Sequence, residues 1–309
     1  MQFFGRLVLF ILLIFPAISF AQFRWEFGAT LAPANYLGEI GGLDKDARSS
    51  VRDMKIKVTR PSLGFFVRKK TRIPWLSLKA DLQYIRIAGA DSLSTIPGRT
   101  GRNLSFFNNI YQLGVQPYVY LYQAQDMFRI GKNRVDFRTY LTTGVAAIMH
   151  APKTKYQGVT YDLRSQNTEG LTKVYSKFNV GIPFGLGIDY TVARKHRVGL
   201  EFSWTKTFTD YLDDASTVYG DTTKMTPLAV KLSNRRREVS AAKEDKVAAP
   251  PQYFPGEMRG SPKTKDSYLL AALNYSYVIK GKSSFYKSKY NYLTGAKRRY
   301  KKRKTRAKF

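Results

Sequence analysis

Residues 178–190 read FNVGIPFGLGIDY, and this stretch decides the fold. Its even positions, from Phe178 to Tyr190, are all apolar or aromatic, whereas its odd positions are polar, glycine or proline. Successive side chains of a β-strand point to opposite faces, so one face of this strand is apolar and the other is polar or bare. Strands of soluble sandwiches usually end after about five or six residues. Strands of about ten residues, apolar outward and polar inward, are typical of a closed barrel in a lipid bilayer.

Seven further segments alternate in the same way. The sequence predicts strands near 23–31, 61–69, 75–87, 108–122, 137–149, 197–207 and 267–279, in addition to 178–190. An even number of strands returns both ends of a barrel to one side of the membrane. The predicted fold is therefore all-β, an eight-stranded antiparallel transmembrane β-barrel covering residues 22–279.

An export signal precedes the first predicted strand. Residues 1–21 contain one cation, Arg6, an apolar stretch from Leu7 to Phe20 and the small-x-small end SFA at 19–21. This pattern is typical of a signal peptide that is cleaved before Gln22; a retained N-terminal anchor is the alternative. Because no later segment is long and apolar enough for a membrane helix, we predict an integral protein of a bacterial outer membrane.

The predicted connections alternate in length. Those after the second, fourth and sixth strands are short, whereas those after the first, third, fifth and seventh are long. Outer-membrane barrels place short turns in the periplasm and long loops outside. We therefore expect long extracellular loops and both barrel termini in the periplasm.

Charged side chains occur at inward positions of the predicted strands. An eight-stranded barrel is just wide enough for side chains to fill its interior, and a charge there must be paired or hydrated. We therefore predict ion pairs that fill the lumen, with a conducting pore as the alternative. The inward charges are Arg24, Glu26, Lys79, Asp81, Arg138, Asp189 and Glu201.

The sequence offers few groups for catalysis. It has no cysteine and only two histidines, His150 and His196, which the predicted topology places at opposite ends of the barrel. Two histidines so placed cannot form a metal pair, nor can they act together to activate a nucleophile. We predict a non-enzymatic protein without a cofactor.

Two loop motifs could bind a ligand. The carboxylates of Asp210, Asp213 and Asp214 could hold Ca²⁺, but an EF-hand loop is missing, and the favoured interpretation is aspartates that cap turns and pair with Lys or Arg. The glycine-rich NYLGEIGG at 35–42 does not precede a helix. We therefore expect a tight loop packed on the barrel mouth instead of a phosphate-binding loop.

The C-terminal segment 280–309 is strongly basic, with thirteen Lys or Arg and no Asp or Glu in a chain of net charge +30. In an exported protein, such a segment does not indicate nucleic-acid binding; it stays extended and binds an anionic surface. Lipid headgroups, cell-wall carboxylates and an acidic partner protein all remain open as its target. The candidate partner-binding residues are Lys297, Arg298, Arg299, Tyr300, Lys301, Lys302, Arg303, Lys304 and Arg306.

Several motifs resemble those of PorG-like outer-membrane barrels of the Bacteroidota. The resemblance covers about residues 23–279, and TDYLDD is its most specific element. It implies a component of the type IX secretion system, in which PorG is thought to tie a periplasmic ring of a lipoprotein and a partner subunit to the outer membrane. Type IX secretion also serves gliding motility in some relatives, and no catalytic residues are implied. The matching motifs are NYLGEIGG at 35–42, RPSLG at 60–64, RNLSF at 102–106, TFTDYLDD at 207–214, RG at 259–260 and DSY at 266–268.

These patterns predict three parts: a signal peptide at 1–21, an outer-membrane β-barrel at 22–279 and a basic periplasmic tail at 280–309. The favoured function is a barrel that anchors a periplasmic secretion-ring or translocon assembly to the outer membrane through its tail. Two alternatives remain open. One is a barrel that tethers the envelope to the cell wall, and the other is a barrel that binds or passes a lipid or small solute.

Overall fold

One antiparallel sheet of eleven strands accounts for most of the regular structure. The computed structural model describes residues 25–41, 56–71, 73–94, 96–125, 136–192, 195–239, 254–262 and 264–279. The predicted signal peptide at 1–21, the first-strand residues Phe23 and Arg24, and the basic segment 280–309 lie outside these ranges.

The strands are β1 (Trp25–Leu37), β2 (Arg60–Lys70), β3 (Leu76–Ala90), β4 (Ser105–Gln125), β5 (Asp136–Thr143), β6 (Val145–Met149), β7 (Pro152–Tyr156), β8 (Val159–Asp162), β9 (Phe178–Val192), β10 (His196–Thr207) and β11 (Ser267–Ile279). The α-helices are α1 (Pro97–Arg102), α2 (Leu163–Gln166) and α3 (Pro227–Ser233), and 3-10 turns cover Ile56–Val58, Asp91–Leu93, Thr222–Lys224 and Arg236–Glu238. None of the helices that the structure describes is long and apolar enough to cross a membrane.

The sheet closes into a ring of eight. β1, β2, β3 and β4 pair in sequence, β9, β10 and β11 pair in sequence, and β11 lies beside β1. β5 and β6 together fill the remaining place, because both pair with β4 on one side and with β9 on the other. A Cβ at Gly144, between them, would stand 2.2 Å from the carbonyl oxygen of Val115, so the interruption needs glycine. The predicted eight-stranded barrel is confirmed.

The predicted strands agree with the observed ones, and the main differences in length are at one end. The predicted strand 267–279 coincides with β11, but β1 continues to Leu37 instead of ending at Leu31. Residues Ala34 to Leu37 are buried one after another because loops cover both faces of the strand there. Alternation is lost where both faces are covered, so the period of two could not reveal this extension.

The two ends of the barrel differ. The short-turn end contains the links 71–75, 126–135 and 193–195, together with the start of β1 at Trp25 and the end of β11 at Ile279. The cap end contains the long links 38–59, 91–104, 150–177 and 208–266, from which the hairpin β7–β8 extends. The alternation of short and long connections predicted from the sequence is confirmed.

The outer face of the ring is apolar. Phe65, Leu113 and Leu186, from three different strands, are 64%, 59% and 55% exposed. Tyr84 and Tyr111 lie on neighbouring strands toward the cap end, with ring centroids 5.4 Å apart. A closed sheet with an apolar outer surface and aromatic side chains at its edge is the form in which β-strands cross a bilayer. The fold is an eight-stranded antiparallel transmembrane β-barrel.

The lumen holds a connected network of charges. Arg68 Nη1 lies 2.5 Å from Asp189 Oδ2 and 3.6 Å from Glu26 Oε2, and Arg197 also pairs with Glu26. Lys79 Nζ lies 3.7 Å from Glu201 Oε1 in the same interior. These side chains are 6% exposed or less. Glu26, Lys79, Asp189 and Glu201 face the lumen and form ion pairs there, as predicted, and Asp81 and Arg138 are buried in the same interior.

Tyrosines and amides complete this network. The hydroxyls of Tyr118 and Tyr140 both donate to Glu201 Oε2, at 2.6 and 2.9 Å, and the guanidinium of Arg68 lies 4.4 Å from the centroid of the Tyr118 ring. Asp81 accepts hydrogen bonds from the amides of Gln83 and Gln116. Charge-assisted bonds of this kind compensate the loss of hydration inside the barrel.

Replacing Arg68 tests the lumen network. Arg68→Met removes a cation that pairs with both Glu26 and Asp189, so we expect the free energy of unfolding to fall by about 3–5 kcal/mol. Urea unfolding of the detergent-solubilised protein, followed by tryptophan fluorescence, measures the change. Adding Asp189→Asn should recover part of the loss, and the exposed control Lys224→Met should cost about 0–1 kcal/mol. An Arg68→Met barrel as stable as the wild type would contradict this account of the lumen.

Candidate functional site

Buried charges from four loops form a polar cap over one end of the barrel. We call this set the polar cap; its members are Tyr36, Glu39, Asp91, Arg102, Glu169, Asp210, Asp213, Asp214, Arg259 and Asp266. All are 6% exposed or less. Five of the motifs on which the resemblance rests contribute to it, since they lie at 35–42, 102–106, 207–214, 259–260 and 266–268. The structure therefore brings together residues that are as many as 230 positions apart.

Arg102 and Asp91 fix one side of the cap. The Nε and Nη2 atoms of Arg102 donate to the two carboxylate oxygens of Asp91, at 2.8 and 3.1 Å. Asp91 also accepts from the backbone N–H groups of Gly41 and Leu104. Gly41 has φ +92° and its Cβ position lies 3.1 Å from the carbonyl oxygen of Ala90, so glycine suits this turn. The prediction that residues 35–42 form a tight loop on the barrel mouth is confirmed for the described residues up to 41.

Arg259 fixes the other side. Its Nη1 lies 2.9 Å from Glu169 Oε1, its Nη2 lies 3.4 Å from Asp214 Oδ2, and it donates to the backbone carbonyl of Asp214. Glu169 in turn accepts from the backbone N–H groups of Ser216 and Thr217. One arginine thus joins two loops of the cap end, 150–177 and 208–266.

The centre of the cap holds a shared proton. Tyr36 Oη lies 2.7 Å from Asp213 Oδ2 and 2.7 Å from Asp266 Oδ1. A phenol has one proton and donates to one oxygen, so the second contact is a hydrogen bond only when that carboxyl is protonated and donates to Oη. Burial raises the pKa of both carboxyls, and the charge of Asp213 raises that of Asp266 further. The pair therefore binds one proton between them.

Glu39 is a second carboxyl that binds a proton tightly. Burial and the neighbouring charge of Asp213 raise its pKa to about 8, although the charge of Arg102 acts in the opposite direction. Its Oε1 accepts a hydrogen bond of 2.6 Å from the N–H of Ser261 and one of 3.3 Å from Thr264 Oγ1. The cap is thus a network of hydrogen bonds and ion pairs in which some carboxyls are neutral.

The aspartates of TDYLDD serve this network. Asp213 Oδ1 accepts from the N–H of Ala215 at 2.9 Å, Asp210 Oδ2 accepts from Ser216 Oγ at 2.7 Å, and Asp214 pairs with Arg259. Their carboxylates are directed to different partners. The favoured interpretation of these residues as turn caps and ion-pair partners is confirmed. Among the described residues, no group of three or more His, Cys, Asp or Glu side chains is arranged to hold a metal ion.

The two histidines lie at opposite ends, as predicted. His150 follows β6 at the cap end, where its Nε2 lies 2.7 Å from Asn179 Nδ2 and burial lowers its pKa to about 4. His196 begins β10 at the short-turn end, where its Nδ1 lies 2.8 Å from the hydroxyl of Tyr275. The two histidines are therefore too far apart to act together at one site.

The predicted partner-binding residues, Lys297 to Arg306, lie outside the described residues. The barrel end from which that segment departs is described, and there Lys69 Nζ lies 5.0 Å from the centroid of the Trp25 ring. The carboxylates of Glu26 and Asp189, in the same half of the barrel, are directed into the lumen and paired. Cations and aromatic rings therefore occupy the outer surface of this end.

Some important residues escaped the sequence analysis. Arg68 and Arg197 lie at inward positions of the predicted strands 61–69 and 197–207. The alternation of apolar and polar residues in those strands would therefore have identified both as lumen charges. Glu169 and Asp91 lie in loops without a periodic pattern. No sequence signal marks those two residues.

The pH dependence of stability tests the cap. The pKa of Glu39 is about 8 in the folded cap against an ordinary 4.5, so the folded state retains a proton that the unfolded chain releases. This stabilisation is complete below pH 4.5 and is lost as pH rises to about 8, at about 1.4 kcal/mol per pH unit at most. Urea unfolding at several pH values should show a shallower dependence for Glu39→Gln than for the wild type.

The matched control for this experiment is Thr264→Ala, which removes a hydrogen bond to Glu39 but leaves its carboxyl in place. We expect this variant to be less stable than the wild type, with the same pH dependence. Identical pH dependence of the wild type and Glu39→Gln would contradict the assignment.

Comparison with known proteins gives low sequence similarity. No curated protein matches the sequence. The solved structure of Ail, the attachment invasion locus protein of Yersinia pestis, is 8% identical with a TM-score of 0.32, and the match covers 84% of this chain and 99% of Ail. Neisserial surface protein A is 8% identical with a TM-score of 0.32, and that match covers 82% of this chain and 96% of the other. At these values, the description of the fold rests on the strand pairings of the chain itself.

A protein-family comparison is more informative. Residues 5–229 match the family described as Domain of unknown function (DUF6089). This match spans the predicted strands from the first to the seventh and includes the TDYLDD motif. Because it covers more than half of the 309 residues, the chain belongs to that family.

Proposed function

We propose that this protein is a non-enzymatic anchor: its barrel lies in the bacterial outer membrane, and its basic segment 280–309 holds a periplasmic assembly. The observation that carries the proposal is the position of the barrel termini. Trp25 and Ile279 both lie at the short-turn end, on strands β1 and β11 that are neighbours in the ring. The basic segment therefore leaves the barrel on the side where the turns are short.

The cellular location follows from two features taken together. The export signal at 1–21 supports secretion across the inner membrane, and a closed barrel with an apolar outer surface requires a bilayer. Short turns in bacterial outer-membrane barrels lie in the periplasm. On this basis, the cap end is extracellular and the basic segment is periplasmic.

The chemistry of the short-turn end supports an anionic partner. Lys69, Lys70 and Lys195 belong to this end, whereas Glu26 and Asp189 are buried in the lumen. Attraction by many cations is additive along one segment, even though each contact is modest. An acidic surface of a periplasmic protein fits this distribution of charge.

The identity of the assembly is the most specific part of the proposal. The motifs that resemble PorG-like barrels meet mainly at the cap end, where they form one hydrogen-bonded network. That resemblance supports a role in type IX secretion, including gliding motility, with the ring lipoprotein and its partner subunit, or translocon components, as ligands of the tail. The proposed contacts are Lys297, Arg298, Arg299, Tyr300, Lys301, Lys302, Arg303, Lys304 and Arg306.

The other candidate functions differ in how well the structure supports them. Passage of a solute is disfavoured because the buried side chains of Arg68, Lys79 and Glu201 occupy the lumen. Tethering to the cell wall uses the same basic segment and the same side of the membrane. Crosslinking from the tail separates the two, since wall fragments support the tether and ring subunits support the anchor.

Deletion of residues 280–309 tests the anchor. We expect the truncated barrel to remain folded and inserted in the outer membrane, because its strands are complete at Ile279, but to lose its periplasmic partner. Affinity purification in mild detergent followed by mass spectrometry measures that loss. Recovery of the partner at wild-type yield would contradict the role of the tail.

A matched control uses the full-length chain with the residues of 297–306 in scrambled order. This variant keeps the charge and length of the tail but changes its sequence. Loss of the partner in this control supports recognition of a protein surface, whereas retention supports attraction by charge alone.

A further inference from the structure

A second charged feature lies on the outer face of the barrel, toward the cap end. Along β3, the outward positions run from Ala80 through Leu82 and Tyr84 to Arg86. Arg86 pairs in register with Asn109 of β4, directly beyond the pair formed by Tyr84 and Tyr111. Since aromatic side chains mark the level of the membrane surface, Arg86 and Asn109 lie at the level of the lipid headgroups.

Both of these residues have an unused polar atom. Arg86 Nε and Asn109 Oδ1 are buried and have no hydrogen-bond partner. The guanidinium of Arg86 is held 4.9 Å from the centroid of the Phe107 ring, which restricts its position. Arg86 as a whole is only half-buried, so a phosphate oxygen on the outer face would accept from the part of its guanidinium that remains accessible.

Two lysines of the hairpin β7–β8 add positive charge beside them. Lys153 pairs in register with Phe107, the residue whose ring contacts Arg86, and Lys155 follows two positions later on the same face. Asp162 lies opposite Lys153 in register, but its Oδ1 caps helix α2 by accepting from the N–H of Ser165 at 3.2 Å. Neither lysine forms an ion pair among the described residues. The surface therefore has an excess of positive charge at the headgroup level.

An apolar groove lies below this charge on the same strands. It has a volume of about 360 Å³ and is lined mainly by outward side chains of β1 to β4 around the small Ala80. Its lining includes Phe27, Phe65, Val67, Leu82 and Leu113. Because Ala80 has only a methyl group where its neighbours have larger side chains, the outer surface is indented there.

The spacing of the two features matches one lipid molecule. Arg86 and Ala80 are six positions apart on one strand, which places them about 20 Å from each other along it, or about 15 Å apart in depth at a strand tilt of about 40°. The hydrocarbon core of a bilayer is about 30 Å thick, so the acyl chains of one leaflet extend about 15 Å from the headgroup level. A lipid whose phosphate lies at Arg86 would place the end of an acyl chain at the groove.

We propose that the outer face of β3 and β4 is a binding site for a lipid with a phosphorylated headgroup. Arg86 and Lys153 bind the phosphate, and the groove at Ala80 holds an acyl chain. This inference rests on the proposed membrane location of the barrel. It is independent of the role of the basic segment 280–309.

Native mass spectrometry of the full-length protein in detergent tests the site. The probes are diphosphorylated lipid A and the same lipid A after removal of its phosphates. We expect the wild type to retain the phosphorylated lipid and the double variant Arg86→Gln/Lys153→Gln to bind it about tenfold more weakly, a loss of about 1.4 kcal/mol. The dephosphorylated lipid should bind the wild type and this variant equally.

Matched controls separate a specific site from general adhesion of lipid. Lys206→Gln removes an exposed cation at the cap end of β10, elsewhere on the ring, and should leave lipid retention unchanged. Ala80→Leu fills the groove and should weaken retention, whereas Ala271→Leu, at an exposed outward alanine of β11, should not.

Several outcomes decide the proposal. Equal retention by the wild type and Arg86→Gln/Lys153→Gln overturns it, as does equal weakening by Lys206→Gln. Full competition by inorganic phosphate alone shows a phosphate site without a lipid and also overturns it. If the protein does not insert into membranes at all, the proposed function fails first, and a separate insertion assay in liposomes reveals this.

Discussion

The pairing of backbone groups governs the whole structure. Inside hydrocarbon, every N–H and C=O must be bonded within the protein, and a sheet meets this condition only when it has no free edge. The neighbouring positions of β1 and β11 provide that closure, and the paired segments β5 and β6 fill the one place where the ring is interrupted. Once the ring is closed, the period of two assigns every second side chain to lipid and the others to the lumen.

The interior follows from this assignment. A ring of eight strands has a lumen that side chains can fill, and here they are charged. Arg68 and Arg197 compensate Glu26 and Asp189, and Lys79 with two tyrosines compensates Glu201. The same principle extends to the polar cap, where Arg102 pairs with Asp91 and Arg259 binds Glu169 from a different loop. Carboxyls without a nearby cation, such as Asp266 beside Asp213, hold a proton instead.

The three surfaces of the molecule serve different purposes. The polar cap uses its carboxylates internally, so it stabilises long loops and contains no free pair of acid and base. The short-turn end carries cations and aromatic rings where the termini depart, which suits contact with an anionic partner. The outer face combines an apolar belt with a local excess of positive charge near Arg86, which suits contact with lipid. The proposed anchor and the proposed lipid site make use of the last two surfaces.

The sequence by itself determined the number of strands, their alternation and the order of short and long connections. These properties are local, because a period of two and a change in composition at a turn can be read along the chain. The positions of the inward charges Glu26, Asp189 and Glu201 followed for the same reason. Only the tertiary structure decided which charges pair, that β1 continues under the cap to Leu37, and that Tyr36 lies between Asp213 and Asp266. Those contacts join residues up to 230 positions apart, and the closure of the ring, which no local pattern encodes, brings them together.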